Sequence, residues 1–321
     1  KILESLGLKI RNKQDHVWDL IIPSWRMKDL QIKEDIIEEI IRVFGYNNII
    51  PSLPKADINP PEKDYSLEME RKIKNILALS YGLTEVYNYS FVSEEQLLKL
   101  NLDYGSYIKL LNPLSSQHAL LRQTLTTNLL LNIKHNQAKY DDINIFEIGN
   151  IFLNIPGGLN KDETFSESLP YQEKKMAIIS SRNDGGSFKF LKDLIFNFIF
   201  QLSGGAEVDF LPTESIISWA DNQEKCLLLL NGEEIGFLAK IDNNILAKNG
   251  IKKETSSLEI SLKKLLSVIS SIGLRQYQPV PKFPAVNRDL AFVVDQKVLF
   301  IDIKKEIQEF TSLISDLELF D

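Results

Sequence analysis

Several chemistries are scarce in this sequence. It has one cysteine, Cys226, which excludes a disulfide framework and a cysteine-rich zinc site. Cys226 stands in the apolar run KCLLLL, 225–230, and reads as a reduced core thiol of a cytosolic protein. The three histidines, His16, His118 and His135, are too few and too scattered for a metal cluster. His118 lies near Ser115, Ser116 and Arg122, but a nucleophilic serine also needs a third orienting group and an oxyanion site. His118 therefore reads as a core or surface side chain. No apolar run reaches the roughly 18 residues of a membrane-crossing helix, and the first residues are not a signal peptide. Phosphate-cradling loops of the Walker or GxGxxG type are absent, and Gly185-Gly186 and Gly204-Gly205 read as turns. The net charge is −7, which argues against nucleic-acid binding through bulk charge. Contact with RNA would need a local basic patch or a partner subunit.

What remains is a globular composition, 44% hydrophobic and 25% charged, over 321 residues, enough for two or three domains. A short helix over 2–6 leads to two strands, 8–11 and 17–22, with the polar turn NKQD between them. The prolines of 51–61 make a stiff, extended joint. Beyond it come a helix with Met69, Ile73, Ile76 and Leu77 on one face, a strand over 84–92, and a helix capped by Ser93 and Gln96. A strand over 107–111 stops at Asn112-Pro113. A long helix follows with Leu125, Leu129, Leu130 and Ile133 on its buried face. The strand 143–153 is apolar on both faces, as in a covered sheet. Residues 154–173 read as a polar surface loop. Next are a strand over 177–181, a helix with Phe188, Leu191, Ile195, Phe198 and Leu202 inward, and a hairpin of 224–230 with 234–240. Asn231-Gly232 at the hairpin tip favours a type I′ turn. A second proline-bearing joint, 276–283, precedes a helix over 301–310 and a final strand.

The most patterned stretch is 23–50, PSWRMKDLQIKEDIIEEIIRVFGYNNII. Ile32, Ile36, Ile40 and Val43 recur at helical steps, with Ile37, Ile41 and Phe44 beside them, and predict an amphipathic helix over 33–44. Gly45 stands where a left-handed cap would sit. Asp35, Glu38 and Glu39 form an acidic row on the other face, with Arg42 closing it. Like charges at that spacing repel by about 0.2–0.5 kcal/mol per pair. Three things could offset this: the helix N-terminus near Glu34 and Asp35, the Glu38–Arg42 pair, or a bound cation to which Asp29 adds a fourth carboxylate.

The run PSWR, then Asp29, EDIIEEIIRVFGYNNI and PSLP, resembles the signature domain of the β subunit of bacterial phenylalanine–tRNA ligase. LNPLSSQHALLRQTLTTNLLLNIKHN, INIFEIGNIFL, GEEIGFLAKID and SSLEISLKKLL resemble its class II synthetase-like core. PAVNRDLAFVV, with Arg288-Asp289, is similar to its ferredoxin-fold anticodon-binding domain. IISWADNQEK departs from the family, which has a His-Pro-Gly run there. The resemblance implies an α+β, multidomain chain. Its parts are a partial small α+β domain, 1–50, a proline-rich linker, 51–66, a core with an antiparallel sheet flanked by helices, 67–275, and a partial ferredoxin-like domain, 276–321. The chain reads as a fragment lacking both ends.

The same resemblance implies a magnesium ion shared with the α subunit and carried by Asp29, Asp35, Glu38 and Glu39. Asp29 joins that set only with one extra residue near Met27 or Lys28. Class II cores make an aminoacyl-adenylate with arginines that hold ATP's phosphates. The strand IFEIGNIF has no arginine and no GxGxxR run appears later, so no catalytic residue is assigned and the core is expected to be inactive. The implied partners are the α subunit of an (αβ)2 heterotetramer, which would bind ATP and phenylalanine, and tRNA(Phe). A free-standing RNA- or protein-binding module is the alternative.

Overall fold

The computed structural model describes residues 1–54, 59–156, 169–214, 217–272, 282–295, 298–311, 313–314 and 317. The chain divides into two units, Lys1–Glu62 and Lys63–Asp321.

In the first unit α1 (Ile2–Ser5) leads into the antiparallel pair β1 (Lys9–Gln14) and β2 (Val17–Ile21), then a 3-10 turn (Ser24–Arg26) and α2 (Lys33–Phe44). Its core is small: Leu3, Leu8 and Leu30, with Leu6, Leu20, Ile22, Ile36 and Ile40 packed around them. The apolar stripe of α2 is therefore only half used. Ile36 and Ile40 face this core, whereas Ile32, Ile37, Val43 and Phe44 stay exposed. Glu39, on the expected solvated face, is the buried residue of the helix. Gly45 ends α2 at φ +97, ψ +121, a positive-φ stop outside the left-handed helical region.

The second unit is built on a seven-stranded sheet of order β3-β6-β7-β11-β10-β9-β8. Its strands are β3 (Thr84–Glu85), β6 (Ile143–Pro156), β7 (Pro170–Arg182), β8 (Val208–Pro212), β9 (Ala220–Leu230), β10 (Glu233–Ile241) and β11 (Glu254–Ser261). All neighbours are antiparallel except β3 with β6. Both faces are covered, so alternate residues of a strand enter two different cores. On one face Phe146, Ile148, Met176, Ile178, Leu258 and Ile260 meet α3 (Tyr65–Asn75), α6 (Ser187–Ser203) and α8 (Leu262–Ser271). Cys226 lies in this core, and burial pushes its thiol up to about 11. On the other face Ile143, Ile145, Ala177, Ile179, Ala239 and Ile241 meet α5 (Thr126–Asn136) and α7 (Asn243–Lys248). The helix α6 shows the pattern directly: Leu191, Leu194, Ile195, Phe198, Ile199 and Leu202 are buried between glycine stops at Gly186 and Gly204. Each such side chain contributes roughly 1.5–3 kcal/mol on burial.

Three expectations change. The strand expected over 84–92 breaks into β3 and β4 (Phe91–Val92), and β4 pairs with β5 (Leu120–Leu121) in a separate two-stranded sheet. The break falls at Asn88, whose backbone N–H and Nδ2 both donate to Glu147 and so leave the ladder. The expected strand 107–111 is reduced to an isolated bridge between Lys109 and Leu120, because Leu111 is fully exposed and Asn112-Pro113 follows. The polar loop 154–173 is shorter at both ends, since β6 runs through Pro156 and β7 begins at Pro170. Its centre, 157–168, lies outside the described residues, as does 273–281, most of the expected second joint. Residues 282–295 form no regular element, and α9 (Phe300–Phe310) takes the place of the expected helix 301–310. Most of the expected final strand also falls on residues that are not described. No helix among the described residues is long and apolar enough to cross a membrane.

Candidate functional site

Two clusters of charged side chains stand out, one in each unit. In the first, the sequence sets a basic residue ahead of α2 and acids on it. The 3-10 turn places Arg26 and Asp29 three residues apart with Asp29 N–H donating to the Arg26 carbonyl (3.3 Å). That spacing puts both side chains on one side, and Arg26 Nε donates to Asp29 Oδ2 at 2.7 Å. The same guanidinium donates through Nη2 to Glu39 Oε1, also at 2.7 Å. Arg42, three residues on in α2, donates to Glu39 Oε2. The Arg26 hydrogen bond, helped by Arg42, holds the Glu39 carboxyl below the usual carboxylate range despite its burial.

Asp35 does something else. It is the third residue of α2, and its Oδ2 accepts the N–H groups of Ile32 (2.9 Å) and Gln31 (2.7 Å). These bonds satisfy two donors at the helix start and lower its own carboxyl. Glu38 is exposed and has no hydrogen bond or ion pair among the described residues. Of the four carboxylates in the row, Arg26 joins Asp29 to Glu39, while Asp35 and Glu38 stand apart from them.

Magnesium asks for about six oxygens in near-octahedral array. Here both oxygens of Glu39 serve guanidinium groups, one of Asp29 serves Arg26, and the engaged oxygen of Asp35 serves the backbone. Among the described residues no three acidic, histidine or cysteine side chains gather as a metal-holding group. As placed in this chain alone, these residues do not form a divalent-ion site.

The second cluster lies on the α5 side of the sheet. Register sets Glu147 of β6 and Glu259 of β11 on either side of Ala177 of β7, and sets Lys175 opposite Gly149. Arg122 follows β5 and is held by its backbone, N–H to Ser90 and carbonyl to Phe152. Its side chain donates Nη1 to Glu147 Oε1 (2.6 Å) and Nε to the Asn150 carbonyl (3.0 Å). The Arg122 and Glu147 side chains are 3% and 1% exposed. Gly149 makes the room: a Cβ there would stand 2.2 Å from Arg122 Nη2.

Glu259 is held as fully. Oε1 accepts from Lys175 Nζ at 3.1 Å, and Oε2 accepts from Thr124 Oγ1 (2.6 Å), Leu125 N–H (3.1 Å) and Thr126 Oγ1 (3.3 Å). The carboxylate thus sits at the N-terminal end of α5, where backbone donors and the helix dipole favour an anion. Desolvation, the largest single influence, would lower the Lys175 ammonium, but the charge and hydrogen bond of Glu259, with Glu173 and Tyr171, together outweigh it and the group is raised. Burial, with the Glu259 charge behind it, lifts the Tyr107 phenol to about 12. The chemical consequence is plain. The helix end and the two cations on this face are engaged by glutamates of the chain itself.

The remaining candidates resolve as structural. Ser115 Oγ lies 2.9 Å from His118 Nδ1 within one 3-10 turn, and the His118 ring stands edge-on to Tyr89 and Phe91. Trp219, in the segment that departs from the family, is a core residue against Phe237. The sequence reading missed Arg26, Arg122, Glu147, Lys175 and Glu259. For Glu147 and Glu259 a signal was present: each is the one charged residue of its run, INIFEIGNIFL and SSLEIS. For Arg122 and Lys175, partnered across 25 and 84 positions, there was none.

Two family models match the chain, and they meet at 46–49, ahead of the structural division at Glu62. The family model described as phenylalanyl tRNA synthetase beta chain CLM domain matches residues 49–262, and that of the tRNA synthetase B5 domain matches 1–46. A phenylalanine–tRNA ligase beta subunit of Staphylococcus aureus (strain MSSA476) is 30% identical over 311 residues, covering 96% of this chain and 38% of the relative. One of Fusobacterium nucleatum is 31% identical over 334 residues, covering 100% of this chain and 40% of the relative. The chain spans about two fifths of the length of the curated relatives it matches. Among solved structures, pyrrolysyl-tRNA synthetase from Desulfitobacterium hafniense matches the fold with a TM-score of 0.50 at 17% identity, over 66% of this chain and 74% of the other.

Proposed function

The chain belongs to the phenylalanyl-tRNA synthetase beta-chain family, and on that premise we propose that it is a non-catalytic part of a phenylalanine–tRNA ligase β subunit. In this reading the second unit is a class II synthetase-like core, the first a small signature domain, and 276–321 part of a ferredoxin-like anticodon-binding domain. An α subunit binds ATP and phenylalanine and does the chemistry, the assembly is (αβ)2, and tRNA(Phe) is the acceptor. The magnesium ion implied by the sequence resemblance takes no part in it.

One observation carries the non-catalytic half of this reading. The sheet face beside α5 is closed by the Arg122–Glu147 and Lys175–Glu259 pairs, with Glu259 at the helix end. Adenylate formation needs preorganised cations and donors where phosphate charge develops. Here those groups already have anions. Displacing one would leave a buried carboxylate bare, at a cost of roughly 3–5 kcal/mol.

The test is phenylalanine-dependent pyrophosphate exchange, together with capture of an α subunit. The chain alone is expected to give no exchange above background and to retain the α subunit on an affinity column. Exchange by the chain alone would overturn the non-catalytic assignment, and failure to retain the α subunit would overturn the subunit role.

A further inference from the structure

We propose that the guanidinium of Arg26 is the resident cation of the acidic row in the first unit, and that magnesium does not bind there. The inference concerns electrostatics within this unit and stands independently of the ligase role.

It begins with a spacing. Asp29 aligns with the family pattern only when one extra residue is allowed near Met27 or Lys28. That residue makes the separation from Arg26 three, and across the 3-10 turn three residues return to the same side. Arg26 Nε reaches Asp29 and Nη2 reaches Glu39, so one planar cation spans both carboxylates at 2.7 Å. A guanidinium does this well because its donors are fixed in a fork and it does not lose its proton in proteins.

For two of the four carboxylates the charges balance. Arg26 and Arg42 bring two positive charges to the two negative charges of Asp29 and Glu39. Magnesium would have to strip both guanidinium groups from Glu39, whose side chain is only 8% exposed. Asp35 could offer it only Oδ1, because Oδ2 holds the Gln31 and Ile32 N–H groups at the start of α2. Of the four, Glu38 is the one carboxylate with neither oxygen engaged by a described residue, and a single exposed carboxylate holds magnesium weakly.

Two measurements on the full 321-residue chain, each made with and without the α subunit, decide it: calorimetric titration with magnesium chloride, and thermal unfolding in EDTA and in magnesium. The wild-type chain is expected to give no saturable heat and the same first-unit Tm in both media. Arg26→Met is expected to lower that Tm by a few degrees in EDTA, because it strands Glu39 and frees Asp29. Saturable magnesium binding by the wild type, or a wild-type Tm that falls in EDTA, would overturn the proposal. So would an Arg26→Met chain as stable as the wild type, since that is how a plain solvated face behaves. If Arg26→Met does not fold, its dependence on Arg26 is already clear, and the wild-type titration still carries the magnesium claim.

Discussion

Single side chains explain much of the second unit, and Gly149 is the sharpest case. A glycine is needed there for space, since Arg122 passes where a Cβ would project. Gly149→Ala is therefore expected to push the guanidinium off Glu147 and to cost roughly 3–5 kcal/mol, the usual penalty for breaking a buried pair. Urea unfolding measures it, and a loss below about 0.5 kcal/mol, within the range of ordinary surface changes, would contradict this account. The residue scale is also where sequence reading was weakest. A carboxylate inside an apolar strand can be noticed, but its partner depends on which loop the fold brings over it. Glu39 shows the same limit. Helical periodicity sets it on the polar face, yet the chain before the helix folds Arg26 onto it and buries it.

Elements were legible where local chemistry and packing agreed. Asn231-Gly232 adopts φ +50 and φ +79 between β9 and β10, as a two-residue type I′ turn requires. Nothing lies within 4 Å of a Cβ at Gly232, so a substitution there meets backbone strain and no steric clash. Gly232→Ala is expected to cost about 1–2 kcal/mol, the penalty of a left-handed residue, with the hairpin register kept. An unchanged denaturation midpoint would show that the turn is not set by these dihedrals. The Ser93–Gln96 capping box and α6 were equally readable, because caps and apolar periodicity are written within a few residues. The broken strand 84–92 was not. Its β propensity is real, but Glu147, some 59 positions away in sequence, takes both donors of Asn88. The stripe on α2 marked its helix, Lys33–Phe44, although only Ile36 and Ile40 of it face the first unit's core.

At the scale of the whole molecule, the fold class was visible as an α+β chain, and the large sheet bears it out. What the sequence offered about catalysis was an absence, the lack of arginine in INIFEIGNIFL. The structure adds a positive feature, a sheet face sealed by four charged side chains and a helix end already holding a carboxylate. That closure is the central claim, and ligand binding tests it most directly. The chain should be titrated by calorimetry with a non-hydrolysable phenylalanyl-adenylate analogue. The account expects no saturable heat from the wild-type chain. Stoichiometric, saturable binding by the wild-type chain would contradict it.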